Sequence, residues 1–193
     1  MKQDIILAGV GGQGILSIAF VIDNAALKRG FKIKQAEVHG MAQRGGAVQS
    51  HLRLSTDPIH SDLIPRGGAD IILSVEPLES LRYLDYLGPG GRIITSSTPF
   101  INIPDYPDPE VILAEIRKVK GSILVDSEAL SRRAGSGRVQ NMVMLGAASP
   151  HLILEAGDLM EFVGVLFREK GEKTVEMNRE AFRLGRRASE EQT

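Results

Sequence analysis

The sequence predicts an α/β domain: a three-layer, Rossmann-like fold with a mostly parallel or mixed sheet and helices gathered towards its C-terminal end. Three observations predict it. Short apolar runs that read as buried strands alternate with segments of helical period. A glycine-rich turn follows the first such run and opens a helix. The chain has 193 residues, 42% of them hydrophobic and 24% charged, which is the length and composition of one domain with a single core. Residues 1–188 are expected to form that domain and residues 189–193 a flexible tail.

The elements follow in order. "DIILA" at residues 4–8 is apolar and is ended by "GVGGQG", as expected of a buried strand. Over residues 15–29, Ile15, Ile18, Ala19, Ile22 and Ala26 recur at helical spacing, and Gly30 reads as the stop. "FKIKQAEV" and "AVQSHLRLS" each alternate apolar with polar residues and predict two strands in an antiparallel or mixed part of the sheet. "ADIILSV" is another buried strand, and the helix "PLESLRYLDYL" follows with Pro77 in its first turn. "GPGG" then turns the chain into the strand "RIITSS". The proline-rich "TPFINIPDYPDP" reads as an extended surface passage that leads to a helix near Glu110. "SILVD" is a further buried strand, and Ser127 is expected to cap a short helix ending near Gly135. "VQNMVMLGAAS" reads as a buried helix, and amphipathic helices over residues 157–169 and 173–187 close the domain.

Composition narrows the function. A formal net charge of -1 gives no general pull towards nucleic acid or an anionic membrane. Aromatic content of 5%, with no tryptophan, argues against base-stacking platforms. The absence of cysteine excludes disulfides, cysteine catalysis and thiolate-ligated iron–sulfur clusters within this chain. No apolar run reaches the roughly 18 residues of a spanning helix. "MKQD" leads straight into a strand-like run without the layout of a signal peptide, so the cytoplasm is the expected compartment.

Two loops stand out, both at the carboxyl ends of strands, where sheets of this kind bind. The first carries Gly9, Gly11 and Gly14 in the G-x-G-x-x-G pattern, with Gly12 as an extra glycine and Gln13 as a polar side chain. Such glycines permit a tight turn and close backbone approach, and the helix that follows offers free N–H groups to an anion or cofactor. Glu37 falls where the ribose-binding acid of a dinucleotide fold would sit. Close packing of strand on helix explains the same glycines without a ligand.

The second loop lies within "EVHGMAQRGGAV". His39, Gly40, Gln43, Arg44, Gly45 and Gly46 concentrate hydrogen-bonding groups on a backbone free to adopt positive φ. Histidine titrates near neutrality, and arginine presents a planar fork to carboxylate or phosphate. This concentration points to an interface or a substrate-side loop.

The remaining candidates have simpler explanations. His51 sits in a strand-like segment and is expected to be packed or half-exposed. His60 and His151 have no partners at metal-ligand spacing, so no metal site is expected. There is no G-x-S-x-G elbow and no P-loop lysine. Glu76 reads as a first-turn acid favoured by the helix dipole. Arg138, Gln140 and Asn141 precede an apolar helix, and capping accounts for Asn141. The pairs Arg132–Arg133 and Arg186–Arg187 read as solvated faces.

Four ordered stretches carry a resemblance: "AGVGGQGI", "EVHGMAQRGGAVQSHLR", "ADIILSVEPLESLRYLDYL" and "GRVQNMVMLGA". Together they resemble the gamma-subunit family of pyruvate and other 2-oxoacid:ferredoxin oxidoreductases. The "EVHGMAQRGG" loop is most similar to the beta subunit of indolepyruvate ferredoxin oxidoreductases. The resemblance implies a subunit, inactive alone, of an enzyme that oxidatively decarboxylates a 2-oxoacid to an acyl-CoA. It implies a larger partner that carries thiamine diphosphate, magnesium and iron–sulfur clusters, with coenzyme A as co-substrate and ferredoxin as acceptor. No catalytic residue and no metal site is expected on this chain. Two other readings remain open at this point: a free-standing dinucleotide-dependent oxidoreductase, and a regulatory α/β binding domain. The first lacks a Tyr-x-x-x-Lys pair or other proton relay near the glycine loop.

Overall fold

The structure, a computed structural model, describes residues 1–39 and 45–193. In chain order the strands are β1 (Lys2–Val10), β2 (Lys32–His39), β3 (Ala47–Ser55), β4 (Ala69–Ser74), β5 (Leu87–Ser96) and β6 (Ile123–Val125). The helices are α1 (Ile15–Lys28), α2 (Pro77–Leu81), α3 (Pro109–Lys118), α4 (Ser127–Arg133), α5 (Gln140–Ala148), α6 (Ala156–Phe167) and α7 (Glu172–Glu190).

The strands form one mixed sheet in the order β2-β3-β1-β4-β5-β6. β1, β4, β5 and β6 run parallel, whereas β3 is antiparallel to both its neighbours, β1 and β2. This is the three-layer α/β architecture expected from the alternation of elements. The pleat divides the core, because successive side chains on a strand point to opposite faces. Ile5, Leu7, Ile71, Leu73 and Ile94 pack against α1, α5, α6 and α7. Ile6, Ile72 and Ile93 pack on the other face against Ile112, Leu113 and Ile116 of α3. Continuous apolar runs such as "IIL" are required here because these strands are covered on both sides. No helix among the described residues is long and apolar enough to cross a membrane.

Two local expectations need correction. The helix expected over residues 77–87 stops at Leu81, and a 3-10 turn at Leu84–Tyr86 leads into β5, which absorbs "GPGG". Glycine serves there in two ways: Gly90 turns the backbone through the left-handed region at φ 79°, and its neighbours permit close approach. A Cβ on Gly88 would lie 2.8 Å from the Gly67 carbonyl, and one on Gly91 2.8 Å from that of Ala69, where the register with β4 shifts. The cap of α4 is Asp126, whose side chain accepts from the Ala129 N–H at 2.9 Å. Ser127 is instead buried, with its Oγ 2.8 Å from Ser96 Oγ.

For the C-terminal residues the sequence predicts a flexible tail from residue 189. α7 continues to Glu190, and Ser189 is buried 3.1 Å from His151 Nε2. Gln192 reaches back to the sheet, accepting from Leu124 N–H at 3.3 Å and donating to the Leu124 carbonyl at 3.0 Å.

A crevice at the reversal of the sheet

The helix after β1 lies on one face of the sheet and the helix after β4 on the other. These strands are adjacent, so the carboxyl edge between them is the topological switch point, where open α/β sheets place their ligand crevices. A crevice of about 460 Å³ opens there, lined by Gly12, Gln13, Val75, Phe100, Arg138 and Asn141 among others.

The glycine loop forms one wall. Gly9 lies within β1, Gly12 turns the chain at φ 101°, and Gly14 caps α1 in the left-handed region at φ 78°. Gln13 does not project outward. Its Oε1 accepts from the Val10 N–H at 2.7 Å and fills the space beside Gly9, where a Cβ would meet it at 2.9 Å. The loop is thus closed on itself by its one polar side chain. The first turn of α1 contains no acidic residue, leaving the positive end of its dipole uncompensated within the helix.

The second loop meets the first through its described end. Gly11 N–H donates to the Gly46 carbonyl at 2.8 Å and Gly45 N–H to the Gly11 carbonyl at 3.4 Å. His39 is paired through the backbone with Val48 at the end of β2. Gly40, Gln43 and Arg44 lie outside the described residues.

Glu37 is not placed as a ribose-binding acid. In a dinucleotide-binding unit the second strand lies beside the first. Here β3 stands between them, which displaces β2 by two strand spacings, about 10 Å. Glu37 accepts instead from Gln35 Nε2 at 2.5 Å. It also faces Asp23 of α1, whose pKa is raised to about 7 by burial and by the Glu37 charge.

Two residues have roles other than those expected. Glu76 is the N-cap of α2 rather than a first-turn acid, and it is only 1% exposed. Its carboxylate accepts from Glu79 N–H at 2.8 Å, from Phe100 N–H at 3.3 Å and from the Tyr106 hydroxyl. Burial, and then the bond to Glu76, pushes the Tyr106 hydroxyl well above its ordinary pKa. Asn141 is not the N-cap residue of α5, which is Val139, although the Asn141 Oδ1 accepts from the first-turn Met142 N–H at 3.0 Å. It packs against Gly14, with Nδ2 donating to the Gly14 carbonyl at 3.4 Å.

Sequence reasoning missed Phe100, Asn102 and Tyr106, all in the passage read as plain extended surface. Asn102 Nδ2 donates to the Gly45 carbonyl at 2.7 Å, tying that passage to both loops. Arg138 is exposed at the rim and, among the described residues, takes part in no ion pair. His51 and His151 stand apart from the crevice. His51 is 3% exposed, accepts from Ile64 N–H at 3.0 Å, and is driven towards its neutral form by burial and the Arg53 charge. His151 lies 2.9 Å from an Arg92 nitrogen, and it too is kept neutral by burial and that charge.

The residues do not fit an iron–sulfur cluster, which takes thiolate ligands, because the chain has no cysteine. Among the described residues no three His, Asp or Glu side chains gather into a metal site, so none is assigned to a magnesium–diphosphate group.

The sequence matches the family described as pyruvate ferredoxin/flavodoxin oxidoreductase over residues 4–188. It is 37% identical over 206 aligned residues to the indolepyruvate oxidoreductase subunit IorB of Pyrococcus horikoshii, covering 99% of this chain and 98% of that one. The fold is similar to a 2-oxoglutarate:ferredoxin oxidoreductase from Magnetococcus marinus, solved with 2-oxoglutarate, coenzyme A and succinyl-CoA bound. The TM-score is 0.79 at 23% identity, and the match covers 100% of this chain and 32% of that one. It is also similar to the gamma subunit of a keto/oxoacid ferredoxin oxidoreductase from Geobacter sulfurreducens, at TM-score 0.70 and 21% identity over 98% of this chain and 99% of that one.

Proposed function

Because the chain belongs to the pyruvate ferredoxin/flavodoxin oxidoreductase family, we propose that it is the gamma-type subunit of a cytoplasmic 2-oxoacid:ferredoxin oxidoreductase of the indolepyruvate kind. The whole enzyme would decarboxylate a 2-oxoacid oxidatively, pass the electrons to ferredoxin and transfer the acyl group to coenzyme A. The observation that carries this reading is the 37% identity, over nearly the whole of both chains, to a subunit of an indolepyruvate oxidoreductase.

The division of labour follows from the residues. A chain without cysteine leaves the iron–sulfur clusters to a larger partner. Thiamine diphosphate and its magnesium are assigned to the same partner, where the cofactor supplies the carbanion-stabilising chemistry. We assign to this chain a docking face built from Gly11, Gly12 and Gly14, braced from within by Gln13 beside the buried Gly9, together with His39, Gly40, Gln43, Arg44, Gly45 and Gly46. That face docks on the partner and borders the path of substrate or coenzyme A. Backbone approach at the glycines, the open N-terminus of α1 and the exposed Arg138 suit it to an anionic group.

The test is purification of the tagged chain from its native cells without oxygen, followed by assay of 2-oxoacid-dependent viologen reduction. Co-elution of a larger iron–sulfur subunit, with turnover that requires coenzyme A and is fastest on an aryl pyruvate, is expected. A chain that elutes alone, is inactive with added partner and binds NAD tightly would overturn the reading. Arg44→Ala is expected to weaken assembly or turnover, and a variant normal in both would remove Arg44 from the proposed face.

A further inference from the structure

Residues 97–108 join β5 to α3 along the rim of the switch-point crevice. The segment has no regular hydrogen-bonded structure of its own over most of its length, yet its bonds to the rest of the domain are specific. Glu76, buried at the end of β4, grips it on both sides of Asn102: through the Phe100 N–H at 3.3 Å and through the Tyr106 hydroxyl. Asn102, between those grips, donates to the Gly45 carbonyl at 2.7 Å. Gly45 and Gly46 are in turn bonded to Gly11. A continuous hydrogen-bonded path therefore runs from one buried carboxylate, across the rim segment, to both glycine loops.

A carboxylate removed from water needs strong donors, and a hydroxyl and two backbone N–H groups supply them here. α2 requires only its own cap bond from Glu79 N–H. The two further bonds satisfy the buried carboxylate and at the same time hold the rim segment. We propose that Glu76 and Tyr106 are positioning residues: they latch residues 97–108 so that Phe100 forms the apolar wall of the crevice and Asn102 fixes the base of the docking face at Gly45. The consequence for assembly rests on the function proposed above, whereas the latch itself does not.

The test uses Tyr106→Phe, which keeps the ring in its apolar cluster and removes only the hydroxyl. In the full chain, amide hydrogen exchange at Phe100, Gly45 and Gly11 is expected to accelerate about tenfold, with amides of β4 and α3 unchanged. Tyr83→Phe, a tyrosine in the same cluster with no bond to the segment, is the control and should alter none of these rates. In titrations of the cofactor-bearing subunit, Tyr106→Phe should raise the half-saturating concentration several-fold and leave kcat at saturation unchanged. Unaltered exchange at Phe100 would overturn the latch. Faster exchange with an unmoved half-saturation point would overturn its positioning role. If the wild-type chain did not assemble at all, the functional proposal would fail and the exchange rates would still decide the latch.

Discussion

Asn141 occupies the space that a side chain on Gly14 would need. A Cβ built at Gly14 falls within the van der Waals envelope of the Asn141 amide, and Gly14 itself sits at φ 78° as the cap of α1. The start of α5 is thereby keyed into the glycine loop, which sets the two helices that bound one side of the crevice. Gly14→Ala should lose roughly 1–2 kcal/mol to the left-handed backbone and about 1–3 kcal/mol to overpacking. Adding Asn141→Ala should recover the packing part alone. Urea denaturation of the two single variants and the double variant measures both parts, and a double variant no more stable than Gly14→Ala would remove the packing account.

A second close approach joins α5 to α7. A Cβ on Gly185 would overlap the Val143 carbonyl, and one on Gly146 the Phe182 carbonyl. Backbone cannot yield as a flexible side chain can, so Gly185→Ala should destabilise by about 3 kcal/mol or more through separation of the helices. Thermal melting checks this, and Gly157→Ala, where a Cβ meets open space, should differ little from wild type.

Asp4 is fully buried and receives Arg53 through Nε at 2.9 Å and Nη2 at 3.1 Å. The same guanidinium donates to the Ser61 and Leu63 carbonyls, each at 3.0 Å, and so pins the loop after β3. Asp4→Ala strands a largely buried cation and should cost about 3–5 kcal/mol. Chemical denaturation reads the loss. A drop below about 1 kcal/mol would mean that Arg53 finds water instead.

Asp23 gives a dependence on pH. Its folded pKa of about 7 lies above the ordinary carboxyl value of 3.8, so between those values the folded state binds more protons than the unfolded one. Stability should therefore fall as pH rises through that window and level off above it. At about 1.4 kcal/mol for each pH unit between the two values, the loss is at most about 4 kcal/mol before relaxation. Asp23→Asn should flatten this slope, and melting temperatures measured from about pH 4 to pH 8 would show it. An unchanged slope would place the titration elsewhere.

Much of the fold was legible because burial on both faces writes itself as uninterrupted apolar runs, as at residues 4–8 and 69–75. The alternation in β2 and β3 likewise foretold the antiparallel part of the sheet. What could not be read were contacts whose reason lies far away in the chain. The glycines of "GPGG" signal a turn locally, which Gly90 makes, but the need for Gly88 and Gly91 is the carbonyls of Gly67 and Ala69. Glu76 has the local signature of a helix-start acid, yet its other donors arrive from residues 100 and 106. Asn102 and Gly45 are 57 positions apart, and Asn141 and Gly14 are 127 apart. No periodicity encodes such pairs. The glycine loop was found from its motif, whereas the inward turn of Gln13 depends on a carbon that Gly9 lacks.

The Gln192 side chain bonds both the N–H and the carbonyl of Leu124, the middle residue of the last strand in the sheet. An amide that donates and accepts in this way imitates one residue of an adjoining strand. It blocks the open ladder that would otherwise offer itself to another molecule as a template. At the opposite border, β2 carries Lys32 and Lys34, charges that discourage the same kind of pairing. The final residues thus act as a guard against sheet-to-sheet aggregation, and Gln192→Ala should first betray itself as turbidity on storage rather than as a lower melting temperature.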